Sequence, residues 1–119
     1  MSKRISLPKR LREKIKAKYG GNCGYCGVKP DRLQIDHVVP VEFGGTNEEL
    51  NLMPVCFQCN NYKCTHGLET FRETIHRQVA MARKYSINFR NAERFGLIQE
   101  IKIDSIVFHF EKDRCEFHE

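Results

Sequence analysis

Apolar residues recur every four positions at Leu7, Leu11, Ile15 and Tyr19, the spacing of one narrow stripe on a helix. Pro8 suits a first turn and Gly20-Gly21 supplies a stop, so a helix is predicted over 7–19. Residues 22–32 hold Gly24, Gly27 and Pro30 around a cysteine pair and read as a turn-rich knuckle. Residues 33–39 form a strand pattern halted by Pro40, and 50–55 can return as its hairpin partner after a polar loop containing Gly44-Gly45-Thr46-Asn47. Pro54 limits the ladder, so the sheet should be small and edge-like. The run FQCNNYKC predicts a short helix interrupted by Gly67. Leu68, Phe71, Ile75, Val79 and Ala82 then mark one helix to about Tyr85. Ser86 can cap a shorter helix ending at Gly96, and 98–110 reads as a hairpin or two short strands with a turn near Asp104-Ser105.

At 119 residues the chain is expected to be a single domain with one core. It contains no repeat or low-complexity segment, and its apolar runs are too short to cross a bilayer. No apolar run near the start suits a signal peptide, so a cytoplasmic location and reduced thiols are expected. The formal charge is +5, but it is unevenly spread. Residues 1–20 carry eight basic side chains (Lys3, Arg4, Lys9, Arg10, Arg12, Lys14, Lys16, Lys18) against Glu13, whereas the rest carry twelve basic and fourteen acidic. Such a concentrated cationic segment suits binding to a phosphate backbone, with Lys9, Arg10, Arg12 and Lys14 as candidates. A solvated helix kept soluble by its lysines would have the same composition.

Four of the six cysteines fall in two pairs, Cys23/Cys26 and Cys56/Cys59. Thiolates three residues apart can reach one Zn²⁺ from a tight turn, and a second pair completes a closed, tetrahedral, structural site. A thioredoxin-type redox pair would want a βαβ context, and none is visible. The 29 residues between Cys26 and Cys56 exceed what a zinc ribbon needs, so something is inserted between the knuckles. Cys64 and Cys115 read as small buried or free thiols, and His76, His109 and His118 as surface or packing residues.

The insertion carries Asp36-His37, Gly44-Gly45-Thr46-Asn47, Asn51-Leu52 and Cys59-Asn60-Asn61-Tyr62-Lys63. Set between two CxxC pairs, this ordered series resembles the HNH endonuclease family with its ββα-metal fold, in a His-Asn-Asn variant whose third position is Asn60. The resemblance covers about 21–66. It implies a small zinc-stabilised ββα-metal core (21–66), which with the basic N-terminal helix (1–20) and the tail (67–119) of helix and short hairpin read from the residue pattern makes an α+β protein. It further implies His37 as general base, Asp36 and Asn60 as ligands of a catalytic Mg²⁺ or Mn²⁺, and a supporting role for Asn51.

The residue chemistry is compatible with this. Phosphodiester hydrolysis needs an activated water, stabilisation of charge on the phosphate and help for the departing oxygen. A neutral imidazole can take the proton, and oxygen ligands can hold a hard divalent ion with sites left open. Asn51 can bridge backbone groups across the loop. Lys63, one turn past Asn60, can face the phosphate or simply be solvated. Adjacent residues on a strand point to opposite faces, so the strand must end or twist at Asp36-His37. The expected partner is DNA, with no membrane role, and the setting is a phage or restriction-type nuclease. The runners-up are a Holliday-junction-type resolving enzyme, which would need a homodimer, a non-catalytic zinc module binding DNA through its basic helix, and a part of a larger phage machine.

Overall fold

The computed structural model describes residues 6–116, and side chains over 6–112. Lys3, Arg4 and His118 lie outside the described residues, as does the Cys115 side chain. Where the sequence predicts one core, the chain divides into two compact units, Met1–Leu68 with Val107–Glu119 and Glu69–Ile106.

The first unit is built on two antiparallel strands, β1 (Gln34–His37) and β2 (Leu52–Val55), paired from Gln34↔Val55 to His37↔Leu52. Helix α1 (Lys9–Lys16) packs on both strands and α2 (Phe57–Lys63) on β1. The predicted stripe is thus realised over a shorter helix. Pro8 stands at the N-cap and its carbonyl accepts from Arg12 N at 3.0 Å, as suits a residue with no N–H to lose. Ile15 is fully buried and Leu11 half-buried, while the intervening cations stay exposed. All four residues of β2 are buried, so this strand is the centre of the core. Its outer edge is covered by the first knuckle, where Gly24 N donates to Pro54 O at 2.7 Å. A Cβ at Gly24 would meet the Met53 side chain, which would have to move aside.

The segment after residue 106 returns to this core. Phe108 is buried against Tyr25, ring centroids 5.2 Å apart. The first N–H groups of α6 (His109–Glu116) are satisfied by the knuckle, His109 N on Tyr25 O and Phe110 N on Gly24 O, both at 2.9 Å. This corrects the predicted hairpin over 98–110. Residues 98–108 take no regular structure, and the sheet holds β1 and β2 alone among the described residues. Ile98, Ile101, Ile103 and Val107 within this stretch are exposed.

The second unit contains α4 (Gln78–Tyr85), α5 (Ile87–Arg94) and most of α3 (Leu68–His76). The single helix expected over 68–85 is broken at Arg77 (φ −90°, ψ 5°), although Arg77 N→Glu73 O and Met81 N→Arg77 O keep hydrogen bonds on either side. Ser86 caps α5 as predicted, its Oγ accepting from Phe89 N at 3.1 Å, and the left-handed Gly96 (φ 74°) follows its end. Arg83 ties the turn together. Its guanidinium donates to both oxygens of Glu93 at 2.8 and 2.7 Å and to Glu100 at 2.7 Å. No helix among the described residues is long and apolar enough to cross a membrane.

Candidate active site and metal centre

The two knuckles arise from local chemistry. In the first, Cys23 N donates to Val28 O at 2.7 Å and Gly27 N to Cys23 O at 3.0 Å, a turn that puts Gly27 at φ 82°. In the second, Cys56 is the N-cap of α2 and its Sγ accepts from Cys59 N at 3.4 Å. The helix start thereby presents both sulfurs on one turn, with N–H dipoles favouring thiolate. The sulfurs of Cys23, Cys26, Cys56 and Cys59 all lie within 4.8 Å of one another. Cys26 and Cys56 are 3.8 Å apart, the edge of a tetrahedron with metal–sulfur bonds of about 2.3 Å.

Donor type, number and spacing therefore fit a structural zinc. The thiols also press on one another. The Cys59 thiol donating to Cys23 holds that sulfur down to about 4, against burial, while the same contact and then burial push Cys59 up. Burial also raises Cys26. A bound cation relieves this conflict by favouring thiolate at all four positions.

Between the knuckles, β1 carries Asp36 and His37, and the geometry of the strand's end answers the question of how neighbours share a site. The ladder continues one rung beyond β1 through Val38 N→Asn51 O at 2.9 Å. The Asn51 side chain then replaces it, accepting from Val39 N at 2.8 Å and donating to Val39 O at 3.1 Å and Thr46 O at 2.9 Å. The chain bends at Val38-Val39, and Asp36 and His37 both line one cleft of about 850 Å³. Asn51 bridges the loop in the way its amide chemistry suggests.

Asp36 is almost fully buried. Its Oδ2 accepts from the Tyr25 hydroxyl at 2.8 Å and the Lys63 ammonium at 2.9 Å. Burial, and then the Asp36 charge, push the Tyr25 hydroxyl far above the usual phenol range, so it stays a donor. Among the described residues nothing hydrogen-bonds Oδ1, and no buried side-chain oxygen lacks a partner, so Oδ1 reaches the cleft that Asp36 lines.

Lys63 requires a correction. The ammonium expected to face phosphate or solvent has 0% exposure and bonds Asp36 Oδ2 and, at 3.0 Å, the His37 carbonyl. A buried charge must be paired, and Lys63 fastens α2 to the Asp36-His37 pair rather than touching DNA. One helical turn earlier, Asn60 Nδ2 donates to Gln34 Oε1 at 2.6 Å. Residues 34 and 36 share a strand face and 60 and 63 share a helix face, so the two elements meet through two matched rungs. The Asn60 side-chain oxygen is left available in the same cleft.

His37 is half-buried, and its Nε2 lies 2.7 Å from Asn47 Oδ1. The far wall of the cleft comes from α1, through Arg12 and Lys16. These are one turn apart, and both are exposed. The remaining basic candidates lie differently. Lys14 pairs with Glu49 at 2.9 Å and Lys9 with Glu13 at 4.0 Å, and Arg10 and Lys14 line a separate shallow groove.

Tyr25, Gln34, Asn47 and Lys16 join the cluster without having been singled out in the sequence. The (i, i+4) relation to Arg12 was the available signal for Lys16, and the strand period for Gln34. For Asn47 the signal was its place at the end of the Gly44-Gly45-Thr46-Asn47 motif, which did not tell that its side chain meets His37. His66 is exposed and does not line the cleft.

A short hairpin with an adjoining helix, anchored by four cysteines and opening a cleft that holds Asp36 and His37, defines a ββα-metal core. Residues 23–65 match the family model described as HNH endonuclease, a family whose members are generally endonucleases acting on DNA. None of the curated proteins matches the chain.

Proposed function

We propose that the protein is a metal-dependent DNA endonuclease in which His37 is the general base and Asp36 Oδ1 and Asn60 Oδ1 hold a catalytic Mg²⁺ or Mn²⁺. The observation that carries this reading is the meeting of Asp36, His37 and Asn60 on one cleft whose opposite wall is the cationic pair Arg12 and Lys16. When bound, a hard divalent ion would supply charge stabilisation at the phosphate and at the departing oxygen.

The chain's own residues do the rest. Lys63 and Tyr25 occupy Oδ2 of Asp36 and hold the carboxylate so that its other oxygen is presented outward. Gln34 orients the Asn60 amide by taking its Nδ2 hydrogen, leaving the carbonyl for the cleft. His37 takes a proton from water through the ring nitrogen not bonded to Asn47. Arg12 and Lys16 draw the phosphate backbone in, since among the described residues neither has an acidic side chain within ion-pair distance, unlike Lys14.

The experiment is cleavage of supercoiled plasmid by zinc-loaded wild type and His37→Ala, each with Mg²⁺, Mn²⁺ or EDTA. Nicking or linearisation by the wild type alone, suppressed by EDTA, is expected. Binding without cleavage under every metal would move the protein to a zinc-stabilised DNA-binding module. Equal cleavage by His37→Ala would remove the histidine from the chemistry.

A further inference from the structure

The loop that follows β1 is built with unusual economy around one side chain that the proposed reaction has not yet used. Gly45 N donates to Pro40 O at 2.9 Å, and a Cβ at Gly45 would collide with the Val39 carbonyl, so the loop closes against its own entry. Asn51 then clamps it, binding Val39 on one side and the Thr46 carbonyl on the other. The residue after Thr46 is Asn47, whose backbone position is therefore fixed although its side chain is exposed. That side chain makes a 2.7 Å hydrogen bond to Nε2 of His37. The histidine is held from behind as well, since Lys63 binds its backbone carbonyl.

Building on the nuclease reading, we infer that Asn47 is the positioning residue for the base: its amide oxygen holds the His37 imidazole as the Nε2–H form and leaves Nδ1 as the nitrogen that takes the proton. An amide oxygen can only accept, so the ring nitrogen facing it must donate. A neutral imidazole with Nε2 protonated has its lone pair on Nδ1. Asn51 then acts through Asn47: it holds the loop, and the loop holds the ring. This gives the middle asparagine of the domain a physical task in this chain that needs no contact with substrate.

The test uses the full-length zinc-loaded protein, with Asn47→Ala, Asn47→Asp and Asn51→Ala. The first readout is the His37 side-chain nitrogen spectrum. In the wild type we expect one Nε2–H signal protected from exchange with water. Asn47→Ala and Asn51→Ala should lose the protection, and Asn47→Asp, which keeps an acceptor in place, should retain it. The second readout is cleavage. Asn47→Ala should lower kcat by about tenfold to a hundredfold, the range seen when metal-bound histidines lose the partner that orients them, with DNA affinity unchanged and activity largely kept in Asn47→Asp.

A wild-type ring protonated at Nδ1, protection that survives Asn47→Ala, or an Asn47→Asp protein as impaired as the alanine variant would each overturn the assignment. A protected Nε2–H that depends on Asn47 in a protein that cuts no DNA would keep the contact and overturn the nuclease reading instead, so the two failures are distinguishable.

Discussion

Asp36 shows how one residue can serve structure and chemistry through different atoms. One oxygen is spent on Tyr25 and Lys63, the other faces the cleft, and this division makes the pair Asp36–Lys63 sensitive to one-sided change. A buried ion pair that loses one partner leaves an uncompensated charge, which costs about 3–5 kcal/mol. Lys63→Met should therefore destabilise the protein by that order in urea unfolding, whereas a lysine reaching for DNA from the surface would cost almost nothing; a loss below about 0.5 kcal/mol would contradict the burial. Tyr25→Phe removes one hydrogen bond to a charged acceptor, worth about 1.5–3 kcal/mol, and should show a second signature. Because burial and Asp36 raise the Tyr25 hydroxyl above its unfolded value, its contribution is fully present below the ordinary phenol value near pH ~10 and is lost as pH rises past it. Wild-type stability should thus fall more steeply than that of Tyr25→Phe above about pH 10. Parallel alkaline curves would show that Tyr25 ionises as freely in the folded chain as in the unfolded one.

At the scale of elements, α1 is a cationic helix whose charges are not equivalent. Arg12 and Lys16 line the cleft, whereas Lys14 is tied to Glu49 and Lys9 lies beside Glu13. Replacing Arg12 and Lys16 by glutamine should weaken DNA binding and reduce the slope of log K against log salt by about 2, roughly one for each lost phosphate contact. The Lys9→Gln, Lys14→Gln protein should lose less of both; the opposite ranking, measured by salt titration of binding, would put the DNA on another face of the helix. The helix itself, the two strands and the cysteine frame were legible in the sequence because each has a local cause: a four-residue apolar period, a run ended by proline, and paired thiols. What the sequence did not disclose depends on neighbours distant in the chain. Lys63 looks like any lysine in a polar helix until β1 sets Asp36 beneath it. The apolar residues of 98–110 satisfy a strand pattern, yet 98–108 take no regular structure, and the backbone donors of His109 and Phe110 go to the Tyr25 and Gly24 carbonyls. Asn47 is one polar loop residue among several until Gly45 and Asn51 fix where the loop lies.

At the scale of the whole molecule, the distribution of cysteines across the two compact units would make a bound zinc a local and not a uniform source of stability. All four ligands belong to the unit formed by Met1–Leu68 and Val107–Glu119, and Glu69–Ile106 contains no cysteine. The apolar core of the first unit is small, with Ile15, Leu52, Val55 and Phe108 among its few well-buried large side chains, and cores of this size rarely exceed a few kcal/mol of net stability. A structural zinc contributes about 10–16 kcal/mol of apparent binding free energy in small domains, comparable to or larger than the ~5–15 kcal/mol that holds an ordinary domain folded. Removing it should therefore unfold the first unit outright. After treatment with a strong chelator, or in Cys56→Ser, the amide resonances of β1, β2 and α2 should collapse toward unfolded positions and cleavage should disappear. Resupplying Zn²⁺ should restore both in the chelated wild type but not in the serine variant. The α5 signals, capped by Ser86 and braced by the Arg83–Glu93 pair, have no ligand to lose and should respond less. Verified zinc-free protein that keeps the dispersed signals of β1 and β2 would show that the apolar core alone holds this unit, and the four thiols would then need another explanation.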